Sequence, residues 1–125
     1  MTTIKGERLA NGLQIAFVDQ SNRYFGDYHR VCVVATIICN LHDLPATTPD
    51  ETAFRRLAIE AFGEELSVVR RFERMAVPSA DVDEVRTALV QDYLRHAAGY
   101  MARPGTPRSL VAAELKKHRT YRSHV

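Results

Sequence analysis

The stretch from Tyr28 to Leu41 constrains the fold more than any other part of the chain. In an extended conformation, successive side chains point to opposite sides. One side then carries Val31, Val33, Ala35, Ile37, Cys39 and Leu41, and the other carries Arg30, Cys32, Val34, Thr36 and Ile38. A strand that is apolar on both sides is typical of the centre of a sheet, where it has a neighbour on each edge. The sequence therefore predicts a sheet built around this segment.

Two turn signals come before the central segment. Asn11-Gly12 accepts the positive φ angles of a tight type I′ turn and so predicts a hairpin. Gly26-Asp27 predicts a second turn, directly before the central strand. Three aromatic residues flank this second turn, and we expect them to anchor it on the edge of the sheet: Tyr24, Phe25 and Tyr28.

The first helix is predicted at residues 48–63. Thr48 is a good N-cap, Pro49 suits the first helical position, and Glu51 completes a capping box. Gly63 can end the helix, because it accepts the backbone conformation of a C-cap.

The segment 65–77 has two interpretations. As a strand it alternates regularly, and as a helix it lines up Leu66, Val69, Phe72 and Ala76 on one side. The β-branched pair Val68-Val69 favours the strand. Helix remains the alternative.

A long helix is predicted at 80–101, with Asp81 and Glu84 in capping-box spacing. Its apolar residues cover an arc of about 180°, whereas a helix on one sheet face needs a stripe of about 100°. The surplus must be covered by the last helix or by a second subunit. We expect that last helix at 106–118 and a mobile tail at 119–125.

Strands early in the chain and helices late favour an α+β fold over a parallel βαβ layout. A length of 125 residues predicts one domain. We therefore expect a single α+β domain over 1–125, with a three- to four-stranded antiparallel sheet and two to three helices packed on one face.

Several classes of protein are not indicated. The start of the chain lacks the apolar run of a signal peptide, and the nine residues from Val31 to Cys39 are far short of the roughly 20 of a membrane span. We expect a cytoplasmic protein that does not bind membranes. Cys32 and Cys39 should stay unpaired, because seven positions along one strand place them about 23 Å apart. Without a CxxC motif, zinc-type histidine spacing or a Gly-rich phosphate loop, we expect no metal and no cofactor.

The stretch SNRYFGDYHR, residues 21–30, holds the candidate binding residues Arg23, Tyr24, Asp27 and His29. Asp27 and His29 are two positions apart, so they can share one side of a strand and orient each other as a general base would require. No Ser or Cys nucleophile is tied to them by a motif. A turn is the first interpretation, a binding surface the second, and a catalytic site the third.

His96 lies within the apolar arc of the long helix. A buried histidine with one hydrogen-bond partner is the simpler interpretation, and a pH-sensitive interface or ligand contact is the alternative. The arginines around the segment 65–77 are interspersed with glutamates, so local ion pairs are expected there, with an anion site as the alternative.

The end of the chain is basic. Residues 103–125 contain six Lys and Arg against one Glu, although the whole chain has a net charge of only +2. Nucleic-acid phosphates are therefore possible partners of Lys116, Lys117, Arg119 and Arg122. The segment matches no nucleic-acid-binding motif, so a solvated terminus is the simpler interpretation.

Three segments, NGLQIAFVDQSNRYFGDY, RRFERMAV and YMARP, resemble a group of small uncharacterised bacterial proteins. The resemblance covers most of the chain, and its motifs are structural rather than catalytic. It implies an antiparallel sheet with helices packed on it, and it supports the strand interpretation of 65–77. It implies no activity.

No set of side chains is arranged for a recognisable reaction, so we expect a non-catalytic protein-interaction or regulatory module. The surplus apolar arc of the long helix indicates that it self-associates, as a possible homodimer. A nucleic-acid or anion binder acting through the basic C-terminal segment is one alternative, and an enzyme with an unrecognised site near Asp27 and His29 is another.

Overall fold

The computed structural model describes the backbone of residues 2–123 and the side chains of residues 3–97 and 99–118. The fold is α+β, with five antiparallel strands in one sheet and three helices. The strands are β1 (Thr2–Arg8), β2 (Gln14–Asp19), β3 (Asn22–Phe25), β4 (Tyr28–Asn40) and β5 (Glu65–Pro78). The helices are α1 (Pro49–Phe62), α2 (Val82–Met101) and α3 (Thr106–Ser123).

β4 is the central strand, as its two apolar sides predict. β2 and β3 pair along one of its edges, one after the other, and β5 pairs along the other edge. β1 adds to the outer side of β2. The five strands therefore form four rows, and 65–77 is a strand rather than a helix.

The first hairpin turn differs from the expected type I′. Gly12 N donates to Leu9 O at 3.0 Å, and Leu9 N donates to Leu13 O at 2.8 Å. Only Gly12 has a positive φ, of 92°, whereas a type I′ turn needs one at Asn11 as well. The loop is therefore a type I turn followed by a glycine bulge. The second turn, at Gly26-Asp27, is present as expected, with Gly26 at φ 52°.

β5 contains a bulge close to its end. Its register with β4 shifts opposite the step from His29 to Val31, and Ala76 takes a φ of 55° there. A positive φ is costly for a residue with a Cβ, so the bulge stores strain at Ala76.

The sheet has two different faces. The odd-numbered residues of β4 from Val31 to Cys39 face the helices and belong to one core cluster with Leu13, Ile15, Phe17, Leu66, Val68, Leu89, Val90, Val111 and Leu115. α1 joins this core through Ala58, which is fully buried. Its start has the predicted capping box, because Thr48 and Glu51 exchange side-chain and backbone hydrogen bonds. The helices therefore pack on one face.

The predicted surplus on α2 is largely covered within the chain. Leu89, Val90 and Met101 are buried. Tyr93 packs its ring between Phe17 and Phe72, and the other side of α2 contacts α3. The sheet and the last helix therefore cover most of the arc, Tyr100 stays 53% exposed, and self-association through α2 stays a prediction.

α3 extends five residues beyond its expected end at 118. The segment from Lys116 to Ser123 contains no Gly or Pro, so nothing in it ends a helix. The expected mobile tail at 119–125 is thus helical up to Ser123, and His124 and Val125 lie outside the described residues. None of the helices in the described range combines the length and apolar composition that crossing a bilayer requires.

Candidate functional site

The tip of the β3–β4 hairpin brings the first candidate residues together. β3 places Arg23 opposite His29, and Asp27 occupies the turn between the strands. Ser79, just after β5, locks this turn in place: its N–H donates to Asp27 O at 3.0 Å, and its Oγ lies 3.2 Å from the same oxygen. This contact of Ser79 could not be predicted from the sequence, because Ser79 is 52 positions away from Asp27.

The hydrogen bonds at His29 do not match those of a general base. His29 Nε2 lies 2.9 Å from Ser79 Oγ. A serine hydroxyl has one hydrogen, and the Asp27 carbonyl oxygen can only accept it. Both contacts are satisfied when Ser79 donates to Asp27 O and His29 Nε2–H donates to Ser79 Oγ. In this arrangement the imidazole holds the turn and does not activate the serine.

The aromatic residues at this tip do not anchor it, contrary to expectation. The exposed fractions are 72% for Phe25, 47% for Tyr24 and 46% for Tyr28. Phe25 and Tyr28 form a cross-strand pair on the side of the sheet away from the helices, where no core is available to bury them. They are therefore part of a surface that faces solvent.

We call this surface the open face: the side of the sheet opposite the helices, formed by the even-numbered residues of β4 and their cross-strand partners. β5 adds two exposed apolar residues to Phe25 and Tyr28. Val69, opposite Thr36, is 52% exposed, and Met75, 57% exposed, lies in the bulge directly after Arg74, whose partner Val31 faces the helices. In the centre of the open face, Cys32 and Val34 are buried by the neighbouring side chains. Large exposed apolar side chains thus lie at both ends of one sheet face.

One ion pair crosses the open face. Arg30 Nη2 lies 2.5 Å from Glu73 Oε1. The hydrogen bond from Arg30 lowers the pKa of the Glu73 carboxyl, and the charge of Arg71 contributes to the same shift. The prediction of local ion pairs between the arginines and glutamates of β5 is wrong, because Glu73 pairs with Arg30 on the neighbouring strand β4 instead. Of the charges of β5 on this face, Glu65 and Arg71 form no ion pair within the described residues.

His96 is exposed, although its place in the apolar arc predicted burial. Its Nδ1 donates to the Asp92 carbonyl one turn earlier, at 2.8 Å. It lies on α2, on the helical side of the sheet, so it does not join the residues of the hairpin tip. The structure brings together Arg23, Tyr24, Asp27 and His29, and leaves His96 apart.

The basic C-terminal residues lie on α3. Lys117 Nζ is 3.3 Å from Glu114 Oε1 one turn away, and Lys116 is exposed. The side chains of Arg119 and Arg122 lie outside the described residues. Contact of these four residues with nucleic acid stays a prediction.

Comparison with protein-family models, with curated proteins and with solved structures finds no match to this chain. The resemblance of three segments to small bacterial proteins therefore stays a prediction, and the open face must be interpreted from its own chemistry. The sequence pattern places Val69 and Met75 on one side of β5. It does not show that no other element covers this side.

Proposed function

We propose that the protein is a non-catalytic interaction module that self-associates, with two copies packing their open faces against each other. The observation that carries the proposal is the one-sided sheet: every helix of the described range packs on one face, and the other exposes Phe25, Val69 and Met75 at 52–72%. Soluble domains rarely leave a row of such side chains uncovered unless it meets a partner.

The size of the open face suits a partner sheet. Each residue of a sheet covers about 16 Å² of one face, given a rise of about 3.3 Å and a strand spacing of about 4.8 Å. The 44 residues of β1 to β5 therefore span on the order of 700 Å². If the two faces overlapped completely, two copies would bury on the order of 1,400 Å², which lies within the range of specific interfaces.

The charges favour a second copy over an unrelated partner. Glu65 and Arg71 are unpaired, have opposite signs and lie on either side of Val69 along β5. In a two-fold interface, a contact between two residues is repeated with the roles reversed. A two-fold axis at position 68 of β5, midway between Glu65 and Arg71, places Glu65 of each copy against Arg71 of the other. The same surface is therefore complementary to itself.

The first test is a change of oligomeric state, measured by analytical ultracentrifugation across a wide concentration range. The wild-type protein is expected to approach twice the chain mass of 14.1 kDa. Val69→Lys should stay at the chain mass, because it places an unpaired charge within the interface, next to the two-fold axis. Leu57→Lys is the matched control: Leu57 is also exposed, at 37%, but lies on α1. A wild-type protein that remains monomeric at the highest concentration contradicts the proposal.

A charge exchange tests the two-fold arrangement. Glu65→Arg alone and Arg71→Glu alone each place like charges opposite one another, and each should weaken the dimer about tenfold or more. The double variant restores the attraction and should recover most of that loss. Arg71→Glu also adds a repulsion with Glu73 inside each copy, so recovery in the double variant is the decisive result. If the double variant associates more weakly than both single variants, the arrangement is wrong.

The proposal includes a cytoplasmic location, with which the free thiols of Cys32 and Cys39 are compatible. It involves no catalytic step at the hairpin tip, where the hydrogen bonds of His29 and Ser79 hold a turn.

A further inference from the structure

A cleft of about 490 Å³ lies at the end of the molecule away from the β3–β4 hairpin. Its walls come from the β1–β2 turn, the end of β4, the loop before α1, and the turn between α2 and α3. This volume is within the range of about 300–1,000 Å³ that is typical of small-molecule sites. We call it the end cleft. It shares no residue with the exposed apolar groups of the open face.

Hydrogen bonds hold the walls of the end cleft in place. Asn11 Nδ2 donates to the carbonyls of Met101 at 2.5 Å and Arg103 at 2.8 Å, and so ties the β1–β2 turn to the end of α2. Thr106 is buried, and its Oγ1 donates to Tyr100 O at 2.6 Å, which fixes the start of α3. A cleft whose walls are already fixed binds a ligand without the cost of ordering them.

Two opposite charges line the end cleft without pairing. Asp43 borders the β1–β2 turn: its Oδ2 lies 3.9 Å from the position that a Cβ on Gly12 would occupy. The Arg108 guanidinium lies over the Phe54 ring, 4.2 Å from its centre, which fixes its orientation. In the described structure, Asp43 and Arg108 form no ion pair with each other or with other residues.

The remaining carboxylate and thiol of the cleft are already accounted for. Glu51 uses its Oε1 to accept from Thr47 and from the Thr48 N–H, as part of the capping box of α1. Burial raises the pKa of the Cys39 thiol to about 11, and the charge of Asp43 acts in the same direction. The thiol is therefore protonated near pH 7, and the protonated form is the weaker nucleophile. Glu51 keeps its charge, and Asp43 and Arg108 are the charged groups of the cleft without a hydrogen bond or ion pair within the described residues.

The rest of the lining is largely apolar. Leu13 and Leu44 are nearly completely buried at its base, and prolines 45, 104 and 107 contribute rigid walls. A ligand must therefore carry one positive group, one negative group and an aliphatic body. Amino acids and dipeptides both carry these three features, and the charged ends of a dipeptide are about 3.5 Å further apart.

We propose that the end cleft binds a small aliphatic zwitterion, with its ammonium group at Asp43 and its carboxylate at Arg108. Amino acids and dipeptides share this chemistry. The inference does not depend on self-association, since a monomer contains the complete cleft.

Titrations followed by amide chemical shifts test the proposal on the full chain, with leucine and alanyl-leucine as probes. Saturable shifts are expected at Gly12, Asp43, Gly105 and Arg108. Acetylating the amine of alanyl-leucine, or amidating its carboxylate, should each weaken binding about tenfold or more. Tighter binding of alanyl-leucine than of leucine assigns the cleft to dipeptides, and the reverse order assigns it to amino acids.

Two variants identify the protein groups. Asp43→Asn should abolish the discrimination against the acetylated probe, and Arg108→Gln the discrimination against the amidated probe. Asp50→Asn and Arg56→Gln, which change the same charges outside the cleft, should leave both ratios unchanged. Unperturbed amide spectra elsewhere establish that each variant is folded. The proposal is overturned if neither probe causes saturable shifts. It is also overturned if acetylation and amidation of alanyl-leucine both leave its affinity unchanged.

Discussion

Tyr93→Phe is expected to stabilise the protein. The Tyr93 hydroxyl is buried and has no hydrogen-bond partner within the described residues. Its ring packs against Phe17, with centroids 5.8 Å apart, and against Phe72, at 5.1 Å. Phenylalanine keeps both ring contacts and removes the unsatisfied oxygen.

The magnitude follows from the cost of burying an unpaired hydroxyl, which is about 1–3 kcal/mol. We expect the free energy of unfolding to rise by about 1–2 kcal/mol. With a urea m-value of about 2 kcal/mol/M, the midpoint should increase by about 0.5–1 M at an unchanged slope. The control is Tyr100→Phe on the same helix, where the ring is 53% exposed, and its effect should stay within about 0.5 kcal/mol.

The same variant has a pH signature. Burial raises the pKa of Tyr93 above its usual value of 10.0. Above pH 10 the unfolded chain loses this proton more readily than the folded chain, so stability falls as the pH rises. Tyr93→Phe should reduce that alkaline loss, whereas Tyr100→Phe should not. A lower midpoint for Tyr93→Phe than for the wild type would refute the reasoning, because it would mean that the hydroxyl has a favourable partner.

Three further outcomes are expected from urea titrations. The raised pKa of Cys39 means that the unfolded thiol ionises first, so stability should fall between pH 9 and pH 11, and Cys39→Ala should lessen this fall. Ala76→Val should cost about 1–2 kcal/mol, since a β-branched residue tolerates a φ of 55° poorly, whereas Ala76→Gly should cost less. Asn11→Ala should cost about 1–3 kcal/mol, because it leaves two carbonyls at the end of α2 without their donor. A loss below about 0.5 kcal/mol for Ala76→Val or Asn11→Ala, or a pH dependence that Cys39→Ala leaves unchanged, would contradict the corresponding assignment.

The parts of the fold that depend on neighbouring residues could be predicted from the sequence. The central position of β4 follows from its two apolar sides, and the start of α1 follows from Thr48, Pro49 and Glu51. These signals act within a few residues, where alternation and capping chemistry leave few options. The strand at Glu65–Pro78 was favoured by its β-branched pair for the same reason.

The candidate site could be predicted only in part, because periodicity shows which residues share a side but not what covers that side. The apolar arc of α2 indicated that another element packs on it, and α3 packs on part of this arc. Phe25 and Tyr28 suggested an anchored turn, yet their side of the sheet has no helix over it. Glu73 pairs with Arg30, 43 positions away, rather than with a neighbouring arginine. Each of these outcomes depends on contacts between distant segments.

β4 pairs with strands that come both before and after it in the sequence, and this has a consequence for how the chain folds. Its partners in β3 are separated only by a short turn, whereas its partners in β5 are 25 to 50 positions away. Hairpins form within microseconds, whereas closing a longer loop has a larger entropic cost and is slower. During this interval one edge of β4 has unpaired amides beside apolar side chains, which favours aggregation. The capping box at Thr48 favours local formation of α1, which would shorten the path from Asn40 to Glu65, so we expect it to speed the pairing of β5 with β4.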